Sequence, residues 1–123
     1  MTSESMDLAR RAVACKGWRW VEGMAVAKDG RRIRVCVDSL GKTYFPGRHR
    51  FEDLTPDLTD PATLGCLLAL VREAWKSPVA QASPSLPDGH LWTCYINDEA
   101  EDRFFRENTE AEALVAALEA APL

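Results

Sequence analysis

Thr59-Asp60-Pro61-Ala62-Thr63-Leu64-Gly65-Cys66-Leu67-Leu68-Ala69-Leu70-Val71 is the stretch on which the fold turns. Asp60 has the short acceptor side chain of a helix N-cap. Pro61 suits the first helical position, where a missing N–H costs nothing. Leu64, Leu67, Leu68, Val71 and Trp75 then recur at i, i+3, i+4, i+7 and i+11, which predicts one apolar stripe along an α-helix. Thr109-Glu110-Ala111-Glu112-Ala113-Leu114-Val115-Ala116-Ala117-Leu118 reads the same way. Thr109 and Glu112 have capping-box spacing, Ala111, Leu114, Val115 and Leu118 make the stripe, and Pro122 lies beyond its end. Aligning Thr59 with Thr109 also aligns Leu64 with Leu114 and Leu68 with Leu118, a hint of two β-β-α halves.

Working outward, the residues before each helix switch to a two-residue period. Trp18, Trp20, Met24 and Val26 would share one face of a strand, Asp29-Gly30 is a hairpin turn signal, and Arg32-Ile33-Arg34-Val35-Cys36-Val37 alternates. That alternation sends Ile33, Val35 and Val37 inward and Arg32 and Arg34 outward. Thr43-Tyr44-Phe45 would be a short third strand. Residues 91–96 and 103–105 form a second hairpin around an acidic connection, and 77–89, with three prolines, reads as an exposed loop. A first helix over 6–16 would be capped by Ser5, carry Met6, Ala9 and Val13, flanked by Leu8 and Ala12, as its stripe, and end at Gly17. The order is α-β-β-(β)-α-β-β-α, an α+β fold in which three helices pack on an antiparallel sheet built from two hairpins, with residues 1–123 as a single domain.

At 123 residues, 46% hydrophobic and 28% charged, the composition is that of a globular protein. The longest apolar run, 64–71, is too short to cross a bilayer, and no basic segment followed by an apolar one opens the chain. The expectation is a cytoplasmic protein with no membrane partner. Its four cysteines (Cys15, Cys36, Cys66, Cys94) include no C-x-x-C pair and are expected as buried thiols. The net charge of −4 is unevenly spread. Residues 28–50 hold seven basic side chains against Asp29 and Asp38, and 97–123 hold eight acidic ones against Arg103 and Arg106.

Reactive groups are sparse. His90 and Cys94 fall on one face of a strand but about 13 Å apart, too far to share a metal. Glycines lack phosphate-loop spacing, and the acidic run 98–102 lacks the ligand alternation of a calcium loop. No catalytic residue, metal site or cofactor is expected, and the chain is not read as an enzyme. Binding remains. Arg32, Arg34, Tyr44, Arg48, His49 and Arg50 combine cations with an aromatic ring, a mixture that would hold a phosphorylated ligand or a nucleic acid. The overall acidity of the domain weighs against a dedicated nucleic-acid binder. Four tryptophans offer core filling and one exposed anchor for a protein partner.

Residues 56–67, together with Gly17-Trp18-Arg19-Trp20 and Thr109-Glu110-Ala111-Glu112-Ala113-Leu114, resemble small phage and prophage proteins, some of them grouped as phage sandwich domains with helices on both sides of a sheet. The resemblance implies a phage accessory protein, one that would inhibit a host defence system, and brings no catalytic residues with it. The resulting expectation is stoichiometric binding to a host or phage protein, with a second copy of the chain as a further partner. The alternatives are a nucleotide-signal binder using the arginines of 31–50, and a nucleic-acid binder.

Overall fold

A computed structural model describes residues 3–28, 31–46, 54–84, 91–98 and 101–122 of the chain. They form α1 (Ser3–Ala14), β1 (Ala25–Lys28), β2 (Arg31–Arg34), β3 (Cys36–Val37), β4 (Thr43–Tyr44), α2 (Pro61–Trp75), β5 (Gln81–Pro84), β6 (Trp92–Asn97), β7 (Asp102–Glu107) and α3 (Glu110–Glu119). The fold is α+β, and every strand pair is antiparallel.

Both helix starts follow from their capping residues. Asp60 has extended backbone and its side chain accepts from Thr63 N, with Pro61 opening α2. Thr109 accepts from Glu112 N, and its hydroxyl donates to the Glu112 carboxylate at 3.0 Å. The caps thus sit at 60 and 109, one residue out of step with the alignment of Thr59 on Thr109, so the suggested repeat does not hold at its best-defined point. Leu67, Val71 and Trp75 of the α2 stripe are buried and Leu64 and Leu68 partly so, while Thr63, Leu70 and Ala74 widen the buried face. The whole expected stripe of α3 is buried, with Ala113 and Ala117 besides.

α3 is the hub. It touches α1, α2 and all three strands of the β5-β6-β7 sheet. Cys94 and Ile96 of β6 and Phe105 of β7 face it, and small residues at 113 and 117 let the layers approach closely. Trp75 closes this core. Its Nε1 donates to Ala117 O at 2.8 Å, one of the α3 carbonyls near the helix end. Its ring lies 6.2 Å from that of Phe105, and the Arg103 guanidinium stacks over it at 5.5 Å.

Several local features depart from the sequence expectations. Among the described residues the strands form three sheets rather than one: β1-β2, β3-β4 and β5-β6-β7. The first strand begins only at Ala25. Gly23, at φ +98°, turns the chain there, and Val35, between β2 and β3, donates to Met24 O at 2.8 Å. Trp18 and Trp20 therefore lie ahead of the strand, in a chain of edge-to-face rings that runs Trp18–Trp20–Phe45. Val37 points out rather than in. β1 and β2 pair with Lys28 opposite Arg31, so the expected hairpin is present; its turn residues, Asp29 and Gly30, lie outside the described residues.

α1 already includes Ser3, so Ser5 is no cap. Its buried face is Leu8, Ala9 and Ala12, and Val13 is exposed. It ends at Ala14 through tight bonds from Cys15 N to Ala12 O and Trp18 N to Cys15 O, not through a left-handed glycine at 17. Within 77–89, expected as an exposed loop, Ser77 and Ala80 are buried and 81–84 form the edge strand β5. Pro84 is tolerated because it ends an edge strand, where a missing N–H breaks no further ladder. The other turn into this region is made by Lys76 in the left-handed conformation, with Ser77 N bonded to Arg72 O at 2.9 Å.

Candidate functional site

Arg32 and Arg34, read from sequence as outward cations, are held by two carboxylates at the entrance to α2. Arg34 forks onto Asp60, Nη1 to Oδ2 at 2.8 Å and Nη2 to Oδ1 at 3.0 Å, and also donates to Gly23 O at 3.0 Å. Arg32 donates to Asp57 Oδ2 through Nη2 at 3.2 Å and Nε at 3.3 Å, and its Nη1 lies 3.5 Å from Asp60 Oδ1. The arginine side chains are nearly half exposed, whereas Asp57 and Asp60 are 4% and 1% exposed. The same cluster ties in the backbone. Asp60 Oδ2 accepts from Thr63 N and Oγ1, and Thr63 Oγ1 in turn accepts from Ala25 N at 2.8 Å. Asp57 Oδ1 accepts from Thr59 N and Oγ1, while Asp57 N donates to Ala25 O at 2.7 Å. One network thereby fixes β1, β2 and the start of α2 to each other.

The charges behave accordingly. The Arg34 fork holds the Asp60 carboxyl far below the usual carboxylate range; burial pushes the other way, and Thr63 adds to the lowering. Burial alone would raise the Asp57 carboxyl, but hydrogen bonds from Thr59 and then Arg32 outweigh it and hold the group low. Two buried carboxylates therefore already neutralise the arginines that a phosphate would need. Arg48, His49 and Arg50, the other cations of the sequence-derived set, lie outside the described residues.

Tyr44, the aromatic member of that set, belongs to a different feature. β3 and β4 pair through Cys36–Tyr44 and Val37–Thr43, and residues 38–42 make the tip of a small hairpin. The Asp38 carboxylate accepts from Leu40 N at 2.9 Å and Lys42 N at 2.8 Å, Asp38 N donates to Lys42 O, and Gly41 takes φ +79°. This internal bonding holds Leu40 at the apex 91% exposed, with Tyr44 and Val37 also exposed on the hairpin's two faces. Nothing in a two-residue period marks such a tip, because its exposed apolar side chains are what a strand stripe looks like in sequence. The sequence signal for it is Asp38 two residues before Leu40, the spacing of an Asx-turn.

An open cleft of about 650 Å³ lies between the first turns of α1 and α3 and the 58–64 segment. Glu4, Asp7, Glu110 and Glu112 line it, and its basic residue Arg11 is engaged with Glu119 through Nε at 3.2 Å. That charge disfavours an anionic ligand. Among the described residues no cluster of metal-ligating side chains is present, and all four cysteines are free thiols. Burial pushes the Cys94 thiol up to about 11 and raises those of Cys15 and Cys66. In native protein, iodoacetamide should leave Cys94 unmodified at neutral pH and label it only after denaturation, read by mass spectrometry of tryptic peptides; labelling in the native state would contradict its place in the core. Trp75 is buried and Trp18, Trp20 and Trp92 are partly so, which leaves none of the four as the exposed anchor expected from sequence. No family model, curated protein or solved structure matches this chain.

Proposed function

We propose that this chain is a stoichiometric binding protein whose contact point is the β3-β4 hairpin, inserted into an apolar pocket of a protein partner. One observation carries the reading: Leu40 stands almost fully exposed on a tip whose backbone is bonded to its own Asp38. A large apolar side chain held rigidly in water costs free energy in the isolated chain, and a pre-ordered loop loses little entropy on docking. Val37 and Tyr44 supply flanking apolar contact, and Lys42 beside the apex suits a pocket with a carboxylate at its rim. In the phage setting implied by the resemblance, the partner would be a host or phage protein, and the act of binding would be the inhibition.

The commitment of Arg32 and Arg34 to Asp57 and Asp60 supports this reading over the phosphate and nucleic-acid alternatives, since an anion would have to displace buried carboxylates. The test places a photo-crosslinking phenylalanine analogue at position 40 and, as control, at exposed position 10 on α1. Crosslinking in cells should give a discrete adduct from position 40 alone, and Tyr44→Ala or Val37→Asp in the same chain should remove it. Leu40→Asp should leave the melting temperature unchanged, because the side chain buries nothing at present. Absence of an adduct at position 40, or identical adducts at 40 and 10, would overturn the proposal.

A further inference from the structure

The two edges of the three-stranded sheet are not equivalent. β5 is four residues long and ends in Pro84, which cannot donate to another strand. β7, Asp102-Arg103-Phe104-Phe105-Arg106-Glu107, is six residues long and pairs with β6 in unbroken register, from Asn97–Asp102 to Trp92–Glu107. It contains no proline, no glycine and no lysine, and among the described residues no strand pairs with its outer side. Alternate N–H and C=O groups along it therefore point away from the sheet, a template for a further strand.

We infer that β7 pairs antiparallel with β7 of a second copy of this chain, around a twofold axis at Phe104, making a continuous six-stranded sheet. Geometry and charge select this arrangement. In a symmetric antiparallel pair, outward-pointing backbone groups must meet outward-pointing ones, so residues of like parity oppose each other. An axis midway between Phe104 and Phe105 breaks that rule. An axis at Arg103 or at Arg106 sets an arginine against its own copy, which like-charge repulsion disfavours. An axis at Phe104 sets Phe104 against Phe104 and, twice by symmetry, Asp102 against Arg106; Glu101, which would face Glu107, lies just outside β7 and within 3.6 Å of Arg103 of its own chain. An axis at Phe105 would place Arg103 against Glu107 and Phe104 against Arg106, but Arg103 is already held by Asp98 and stacked on Trp75 of its own chain, and Asp102 is left with no opposite charge.

These residues share the face turned away from the core. Phe105 and Arg103 point toward Trp75, so Asp102, Phe104 and Arg106 lie on the other side, across from Asn97, Tyr95 and Thr93. Phe104 is 56% exposed, with one side of its ring on Tyr95 at 5.4 Å and the other open. Arg106 makes no ion pair with a described residue, and among the described residues Asp102 accepts from the Tyr95 hydroxyl at 3.0 Å. The strand is thus self-complementary: one exposed ring at the centre, an acid and a base at equal distances on either side. Sequence hides the arrangement, since the same six residues read as a plain hairpin strand.

The experiment measures assembly of the full chain by native mass spectrometry and sedimentation, with circular dichroism confirming the fold of each variant. The natural chain should run at twice the chain mass. Arg106→Asp sets Asp against Asp102 of the other copy and should weaken the dimer at least about tenfold. Asp102→Arg should do the same by opposing Arg106, and combining Asp102→Arg with Arg106→Asp should restore the dimer, since the swapped charges again face each other. In a background with Cys15, Cys36 and Cys66 changed to Ser, Phe104→Cys should form an intermolecular disulfide under mild oxidation, because directly opposed strand residues lie about 4.5–5.5 Å apart. Arg106→Cys should not, being four residues out of register with its copy. A monomeric natural chain would overturn the inference, as would a dimer indifferent to both charge reversals. A disulfide at position 105 in place of 104 would overturn the assigned axis. A chain that stays monomeric while an added extended peptide protects the β7 amides from exchange would assign the edge to another protein's strand instead.

Discussion

Trp75→Ala is expected to cost about 4 kcal/mol, a large share of the roughly 5–15 kcal/mol that holds a domain of this size together. Three losses combine. The indole is 9% exposed and fills the junction of α2, α3 and the β5-β6-β7 sheet, so its removal leaves a cavity that the backbone of three elements must close around. The Ala117 carbonyl loses the donor that caps it within the core, at about 1–3 kcal/mol for an unmade buried hydrogen bond. Arg103 loses the ring beneath it, retaining Asp98 at 3.1 Å. Thermal unfolding followed by circular dichroism should show a fall of about 15 °C in Tm. Trp75→Phe separates the contributions: it keeps most of the packing and loses the N–H, so a fall of about half that size is expected. If Trp75→Phe were as damaging as Trp75→Ala, the hydrogen bond rather than the packing would dominate; if Trp75→Ala shifted Tm by under a few degrees, the junction would not be the centre of the core.

Asp60→Ala is the second large effect, at about 3 kcal/mol. The cap on Thr63 N is worth about 1 kcal/mol, and the buried acceptor for Thr63 Oγ1 and the Arg34 fork supplies the rest. Asp60→Asn keeps an oxygen for Thr63 but no charge for Arg34, so it should fall between. The same group sets an acid limit on the fold. Its folded pKa lies below its unfolded value, as does that of Asp57, so the unfolded chain binds more protons on acidification. The stability from both carboxylates is fully present above their unfolded values of about 4 and is lost progressively as the pH falls below that. Urea midpoints measured from pH 6 to pH 2 should decline steeply below about pH 4 in the natural chain. The decline should be shallower in the Asp57→Asn, Asp60→Asn double variant, which starts lower. Equal slopes in the two would show that other carboxylates govern the acid transition.

Both predictions rest on contacts distant in sequence. Trp75 meets Ala117 across 42 residues, and Arg34 meets Asp60 across 26. Periodicity had already placed Trp75 on the buried stripe of α2, and spacing had identified Asp60 as a cap. Neither told which group would complete them. Among the candidate site residues the split is clearest. Arg32 and Arg34 alternate outward in sequence and do point outward, yet each turns onto a carboxylate delivered by the 57–60 turn. Tyr44, an aromatic neighbour of those cations in sequence, sits instead on a separate hairpin with Leu40.

The sequence alone determined what local chemistry can dictate: where α2 and α3 start, which of their faces are buried, where the hairpins lie, and the α+β class. Capping hydrogen bonds and 3.6- and 2-residue periods act within a few residues, so they are written directly in the chain. Tertiary structure alone decided that the described hairpins stay in separate sheets, that 81–84 joins β6 as an edge strand, and that Arg32 and Arg34 are neutralised from across the fold. Those outcomes come from strand pairing and charge pairing between remote segments. Many partners satisfy the same local pattern, and the choice among them falls to the packing of the whole core.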